Sequence, residues 1–93
     1  MAKQKRDRLD LIYDILTNIR KSNNTIGPTN LQNKSNLSSQ MFREYIDELQ
    51  NTNLIEKNEL PKSTKYTFSL TKKGNQFLDK YGEMKMFVES FGL

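Results

Sequence analysis

Hydrogen-bonding side chains occupy one face of the stretch that runs from Asn36 to Thr52. The apolar residues of this stretch recur at i, i+3, i+4 and i+7, the stripe of an amphipathic helix: Phe42, Tyr45, Ile46 and Leu49. The polar face opposite carries Ser39, Gln40 and Arg43 on the first turns of this predicted helix. Side chains in such positions suit contacts in a DNA major groove, where a guanidinium pairs with guanine. The stretch therefore predicts base contacts, with Arg43 as the residue that reads guanine.

A shorter helical pattern stands immediately before this stretch and gives it a partner helix. It runs from Pro28 to Lys34, and proline suits the first turn of a helix because its φ is fixed. A tight Ser35–Asn36 connection follows, and Ser38 is the expected N-cap of the second helix. Two helices joined in this way predict a helix-turn-helix, with residues 38–52 as the recognition helix. Lys34 and Ser38 join the candidate DNA-binding residues.

The chain before this unit predicts one further helix and a basic arm. A helical pattern begins at Asp7 and ends near Ser22, with apolar residues three and four apart. Residues 25–27 can supply a short strand. Residues 1–6, MAKQKR, form a basic arm with no large apolar residue after Met1 to hold it. This arm is either a solvated tail, as chain termini often are, or a segment that touches DNA.

Two strands are predicted after the recognition helix. The first covers Leu54 to Asn58, and the second covers Lys65 to Leu70 with apolar residues at alternate positions. The segment between them contains Pro61 and several turn-forming residues, so the strands should form a hairpin, the wing of a winged helix. Three lysines of this hairpin are candidate phosphate contacts: Lys57, Lys62 and Lys65. The alternative is that they only protect an edge strand from pairing with other chains.

The last segment predicts a long helix with Thr71 as its N-cap. Its apolar residues are spaced four, three, four and three apart: Phe77, Tyr81, Met84, Val88 and Phe91. This spacing is typical of a helix that packs against a partner helix, so we expect a homodimer through these five residues. The alternative is that the stripe covers the core of its own domain. Gly82 weakens the helix and predicts a bend.

The composition limits the function classes. The 93 residues suit one domain, and 15 Lys and Arg against 11 Asp and Glu give a net charge of +4, which favours an anionic partner. The sequence has neither cysteine nor histidine, the commonest metal ligands and general base, so we expect no metal, no cofactor and no enzymatic activity. No apolar run is long enough for a membrane span, and a cytoplasmic protein, associated with the nucleoid or a plasmid, is expected.

Together these elements predict an α+β, mainly helical fold, a winged helix-turn-helix over residues 7–70 with a C-terminal dimerisation helix over residues 71–93. The element order resembles the winged helix-turn-helix proteins of archaea and their plasmids and viruses, and also the PadR and MarR groups of regulators. The resemblance is carried by Ser35-Asn36-Leu37-Ser38, by Phe42-x-x-Tyr45-Ile46-x-x-Leu49, by Leu54-Ile55 and by Tyr66-x-x-x-Leu70-Thr71-x-x-Gly74-x-x-x-Leu78. It implies a homodimer that binds double-stranded DNA at an inverted repeat.

Three functional hypotheses remain open on the sequence. The first is a site-specific DNA-binding protein that acts as a transcriptional repressor or as a plasmid partition adaptor, with a partition protein or further copies of itself along the DNA as partners. The second is a general chromatin-type protein that coats DNA. The third is a winged-helix module that binds another protein. Three acidic residues on or beside the recognition face favour a defined site over general coating: Glu44, Asp47 and Glu48.

Overall fold

The computed structural model describes residues 6–93 and has four helices and one hairpin in that range. The elements are α1 (Arg8–Lys21), α2 (Pro28–Ser35), α3 (Ser39–Asn51), β1 (Ile55–Glu59), β2 (Tyr66–Leu70) and α4 (Lys72–Glu89). This is the α+β, mainly helical architecture that the sequence predicts. None of these helices combines the length and the apolar character that crossing a membrane requires. The first five residues of the predicted basic arm lie outside the described range.

The core is assembled around α1. Its Ile15, Leu16 and Ile19 side chains have no exposed surface, and they belong to one buried cluster with residues of every other element. Burying an aliphatic side chain of this size stabilises a fold by about 1.5–3 kcal/mol, so these positions are central to stability. Leu9, an apolar residue in the first turn of the same helix, is exposed. The apolar spacing therefore predicts the helix correctly, but not every apolar residue of α1 faces the core.

Side-chain caps begin three of the four helices. Asp7 accepts a hydrogen bond from the backbone N–H of Asp10, and Ser38 accepts one from that of Met41. Thr71 accepts one from the N–H of Gly74 at the start of α4. Each cap satisfies an amide that lacks a partner in the first turn and contributes about 1 kcal/mol. The predicted N-caps Ser38 and Thr71 are confirmed.

The hairpin is antiparallel, with register from Ile55 opposite Leu70 to Glu59 opposite Tyr66. A short strand was predicted over residues 25–27, but only Ile26 pairs, through two backbone hydrogen bonds with Phe68. The pairing stops there because Pro28 has no N–H to donate and already begins α2. The bridge fixes the start of α2 against the hairpin.

Polar and aromatic contacts fasten α4 to α1. The Tyr81 hydroxyl donates to an Asp10 carboxylate oxygen at 3.0 Å, and the Lys85 ammonium approaches the same oxygen at 2.9 Å. The hydrogen bonds from Lys85 and Tyr81 lower the pKa of Asp10, while the bond to Asp10 raises the pKa of Lys85. Burial and the Asp10 carboxylate raise the pKa of Tyr81. All three shifts favour the charge state that joins the two helices.

The helix α4 continues through Gly82 without interruption, although the sequence predicts a bend there. A Cβ at this position would stand 3.3 Å from the Tyr13 hydroxyl of α1. Glycine therefore lets α1 and α4 approach closely, and the packing between them compensates for its low helix propensity.

Gly74, in the first turn of α4, shows a tighter approach. It is buried, and a Cβ built on it would overlap the carbonyl oxygen of Leu54, which precedes β1. That carbonyl also accepts the backbone N–H of Thr71, so it cannot move away without breaking the junction between the hairpin and α4. Only glycine fits this position.

We expect Gly74→Ala to lower the free energy of unfolding by about 1–3 kcal/mol, because backbone must shift to admit the methyl group. The measurement is urea unfolding at a fixed protein concentration. Lys72→Ala, at an exposed position of the same first turn, is the control and should change stability by less than about 0.5 kcal/mol. If Gly74→Ala were as stable as the wild type or more so, the proposed overlap between a side chain at position 74 and the Leu54 carbonyl would be wrong.

Candidate nucleic-acid interface

The N-terminus of α3 is held in place by a network around the turn that precedes it. The Gln32 amide of α2 donates to the Leu37 carbonyl at 3.2 Å and to the Ser39 hydroxyl oxygen at 3.1 Å. Asn36 closes α2 in the left-handed conformation with φ of 54°, which asparagine tolerates better than most residues. The first turn of α3, which carries the predicted base contacts Ser39 and Gln40, is thereby fixed relative to α2.

Arg6 reaches the same turn from the start of the chain. Its guanidinium donates to the carbonyls of Ser35 and Asn36 at 3.3 and 3.5 Å and pairs with Asp14 at 2.9 Å. The sequence assigned Arg6 to the basic arm, yet its side chain docks on the helix-turn-helix. The signal that could have revealed this is weak, because the partners are two backbone carbonyls and a carboxylate distant in sequence.

The outer face of α3 presents the side chains that the sequence singled out. Ser39, Gln40 and Arg43 are all exposed, and Lys34 is exposed on α2. The Gln40 amide donates to a Glu44 carboxylate oxygen at 3.3 Å, which restrains its orientation. Within residues 6–93, the Arg43 guanidinium has neither a hydrogen bond nor an ion pair. Its five N–H donors are therefore available to an external acceptor.

A concave space of about 400 Å³ separates α3 from the hairpin. Its charged lining residues are Arg43 and Asp47 from α3 and Lys57 from β1. The Lys57 ammonium lies 4.1 Å above the centre of the Tyr66 ring, a cation–π contact that holds it along the hairpin wall. Lys57 is thus placed on the inner side of the hairpin, apart from the two lysines nearer its tip.

Those two lysines occupy the turn between the strands. Lys62 has a φ of 57°, and the Ser63 hydroxyl accepts the backbone N–H of Lys65 at 3.0 Å. Both ammonium groups are exposed, and within the described residues neither forms an ion pair. Lys65 also lines a cavity beside the N-terminus of α2, where backbone amides are directed outward. The geometry suits contact with anions.

The three acidic residues of α3 separate in the structure. Glu48 pairs with Arg8 of α1, and this pair closes one side of a small cleft. Glu44 accepts a hydrogen bond from the Gln40 amide. Asp47 remains in the concave space beside Arg43. The sequence grouped all three near the recognition face, whereas tertiary contact directs Glu48 toward α1.

The C-terminal half of α4 and the turn after it expose much of their apolar surface. Met84, Val88 and Phe91 are 51%, 40% and 67% exposed. Phe91 lies in the turn, because the helix ends at Glu89, before the last residue of the predicted seam. The other two predicted dimerisation residues, Phe77 and Tyr81, are half-buried and stack on each other with ring centres 5.6 Å apart. Tyr81 also contacts Tyr13 and Asp10 of α1, so it is engaged within its own chain.

Phe87 belongs to this exposed face, although the heptad spacing of the predicted dimerisation residues leaves it out. It is 64% exposed, and its ring packs edge-on against Phe91 with centres 5.1 Å apart. With Met84, Val88 and Phe91 it completes an i, i+3, i+4, i+7 stripe, which we call the α4 stripe. Counting the helical period instead of the heptad period would have found it.

Comparison with known proteins bears on the fold. A family model described as winged helix-turn-helix matches residues 5–89. No curated protein matches the chain by sequence. Among solved structures, the DNA-binding protein Sso10a-2 from Sulfolobus solfataricus is similar with a TM-score of 0.76 and 17% identity, over 92% of this chain and 85% of that one.

Two bacterial structures are similar over part of their length. A mutant MarR from E. coli, complexed with operator DNA, gives a TM-score of 0.67 and 18% identity over 74% of this chain and 49% of that one. The PcaV transcriptional regulator from Streptomyces coelicolor gives a TM-score of 0.69 and 16% identity, over 77% of this chain and 53% of that one. The chain thus spans about half the length of these two proteins. From the family match over nearly its whole length, the chain belongs to the winged helix-turn-helix family.

Proposed function

We propose that the protein binds double-stranded DNA at a defined site, as a homodimer on an inverted repeat. The observation that carries this proposal is the exposed face of α3, where Arg43 has no partner within residues 6–93 and the first turn is fixed by Ser38 and Gln32. A helix held in this way can keep its side chains in one register against base edges. The operator complex of E. coli MarR, whose fold is similar, supports the same use of the fold.

The charges support an arrangement with α3 in a major groove and the hairpin on the backbone. Helices of this kind place their N-terminal residues on base edges, and Ser39, Gln40 and Arg43 occupy those turns. Lys62 and Lys65 then face phosphates, which position a protein without selecting sequence. Lys34 on α2 and Lys57 on β1 are also exposed and add to the attraction.

The α4 stripe supports the homodimer. Four large apolar side chains stand exposed on one side of the end of α4 and of the turn after it, and a domain in water rarely leaves such a surface uncovered. A second copy with the same stripe provides a matching surface, as two-fold interfaces require. The half-buried Phe77 and Tyr81 then contribute chiefly by setting the direction of α4.

General coating of DNA is a weaker account of the same surface. Binding of that kind depends on phosphate neutralisation, which carboxylates on the contact face oppose. Glu44 and Asp47 are both exposed there.

Transcriptional repression and plasmid partition are both consistent with site-specific DNA binding. Footprinting separates them, since an adaptor that adds dimers along DNA extends protection outward, whereas an operator-bound repressor does not.

We expect Arg43→Ala to weaken binding to the specific site by about 1–3 kcal/mol more than binding to random duplex, because a bidentate guanine contact is lost. Fluorescence anisotropy with both duplexes measures this. Arg43→Lys is the matched control, since it keeps the charge and loses the planar fork, so it should retain random binding and lose discrimination. Equal losses on both duplexes after Arg43→Ala would reduce Arg43 to a phosphate contact.

We expect the double variant Lys62→Ala with Lys65→Ala to bind more weakly and with little change in sequence preference. If each lysine neutralises one phosphate, the slope of log K against log salt should become shallower by about two for each subunit. Binding measured across a salt series gives this slope. An unchanged slope would mean that the hairpin does not reach the backbone.

We expect Met84→Asp combined with Val88→Asp to yield monomers that bind half-sites weakly, since two buried carboxylates would be unpaired in the interface. Sedimentation gives the mass, and a duplex with two half-sites about one helical turn apart gives the affinity. Met86→Asp is the control, because Met86 is 71% exposed and lies two residues on from Met84, on the opposite side of the helix. A wild-type monomer at the concentrations that bind DNA would contradict the proposal.

A further inference from the structure

Asp47 is the one carboxylate that lines the space between α3 and the hairpin within the described residues. It is exposed, and no side chain of residues 6–93 pairs with it. Its neighbours on α3 differ, since Glu44 accepts from Gln40 and Glu48 pairs with Arg8. Asp47 stands one helical turn beyond Arg43 and borders the same cavity, opposite Lys57.

A free carboxylate in this position is unfavourable for attraction to DNA in general. It repels phosphates and lowers the affinity for every duplex, so it does not help a surface that only neutralises charge. Where a base presents a hydrogen-bond donor to the carboxylate, the carboxylate instead stabilises binding by accepting a hydrogen bond. In the major groove, cytosine presents the N4 amino group as a donor, whereas adenine places the N7 acceptor beside its N6 donor. A carboxylate, which only accepts, therefore favours cytosine.

The distance between Asp47 and Arg43 along α3 would let Asp47 contact a base pair near the one that Arg43 contacts. Four residues advance about 6 Å along an α-helix, which is close to two base-pair steps of a duplex. With Arg43 on a guanine, the Asp47 carboxylate reaches a base pair within about two steps of it. The Lys57 ammonium across the cavity is available to a phosphate and offsets part of the repulsion.

We propose that Asp47 is a specificity-determining residue that accepts a hydrogen bond from a cytosine N4 amino group within about two base-pair steps of the base pair contacted by Arg43. The inference rests on the proposed function and extends it to a named base. Asp47 lowers the affinity for all DNA through charge repulsion. It lowers the affinity most for sequences that present no hydrogen-bond donor, and so it favours the specific site.

The test begins with duplexes that the wild-type protein selects from a random-sequence pool. At each position of the selected site, all four base pairs are introduced, and the Kd of each duplex is measured for wild type, Asp47→Asn and Asp47→Ala. Asp47→Ala should lose a preference for cytosine of about tenfold at one position. Asp47→Asn should change that preference to adenine, because a carboxamide both donates and accepts and so matches N6 and N7.

The control is Glu56→Gln, which makes the same change of charge on the hairpin. Glu56 is exposed and neighbours Lys57 in β1, so its side chain points to the opposite face of the strand. This variant should strengthen binding to all duplexes alike and leave every base preference unchanged. Circular dichroism of all variants should match the wild type, since both substituted positions are exposed.

Two results would overturn the inference. If Asp47→Asn behaves as Glu56→Gln does, Asp47 only repels phosphates, and the proposed function stands without it. If the wild-type protein selects no common sequence from the pool, both the inference and the proposed site-specific function are wrong. A shift from cytosine to adenine at one position, near the position sensitive to Arg43→Ala, would establish the contact.

Discussion

The packing of α1 through the centre of the domain is the interaction on which the rest of the structure depends. Its side chains Ile15, Leu16 and Ile19 are fully buried, and α1 contacts α2, β2 and α4. A chain of 93 residues can bury only a limited core, so a single helix that touches most elements supplies much of the cohesion. The helix α3 and the hairpin contribute residues to this same core, and α4 packs against α1.

Polar contacts supply the precision that a small apolar core does not. Apolar packing tolerates small shifts of a helix, whereas hydrogen bonds fix distance and direction. The turn before α3 has several: Gln32 bonds across it, Arg6 bonds to its carbonyls, and Asn18 donates to the buried Ser35 hydroxyl at 3.2 Å. At the other end of the domain, Asp10 joins Tyr81 and Lys85. The proposed base-reading surface and the proposed dimer surface are therefore both held by networks rooted in α1.

The charged side chains divide into two groups with different consequences. Those that pair within the chain include Arg6, Arg8, Arg20 and Lys85, and these join elements to one another. Arg43 and the hairpin lysines have no acidic partner within residues 6–93, and their charges remain available to an external anion. The net charge of +4 alone hides this division, because it counts paired and unpaired groups alike.

The helices, the hairpin and the capping residues Ser38 and Thr71 follow from the local sequence. Apolar spacing, the caps Ser38 and Thr71 and the turn residues all act within a few positions of each other, so local rules suffice to predict them. Contacts between distant parts of the chain direct Tyr81 to Asp10 and leave Phe87 exposed. They also bring Glu48 to Arg8, whereas Asp47 has no partner within residues 6–93. A periodic pattern defines the faces of a helix, but the face that meets a neighbour depends on contacts between residues far apart in the chain. Those contacts are set by how the whole core packs.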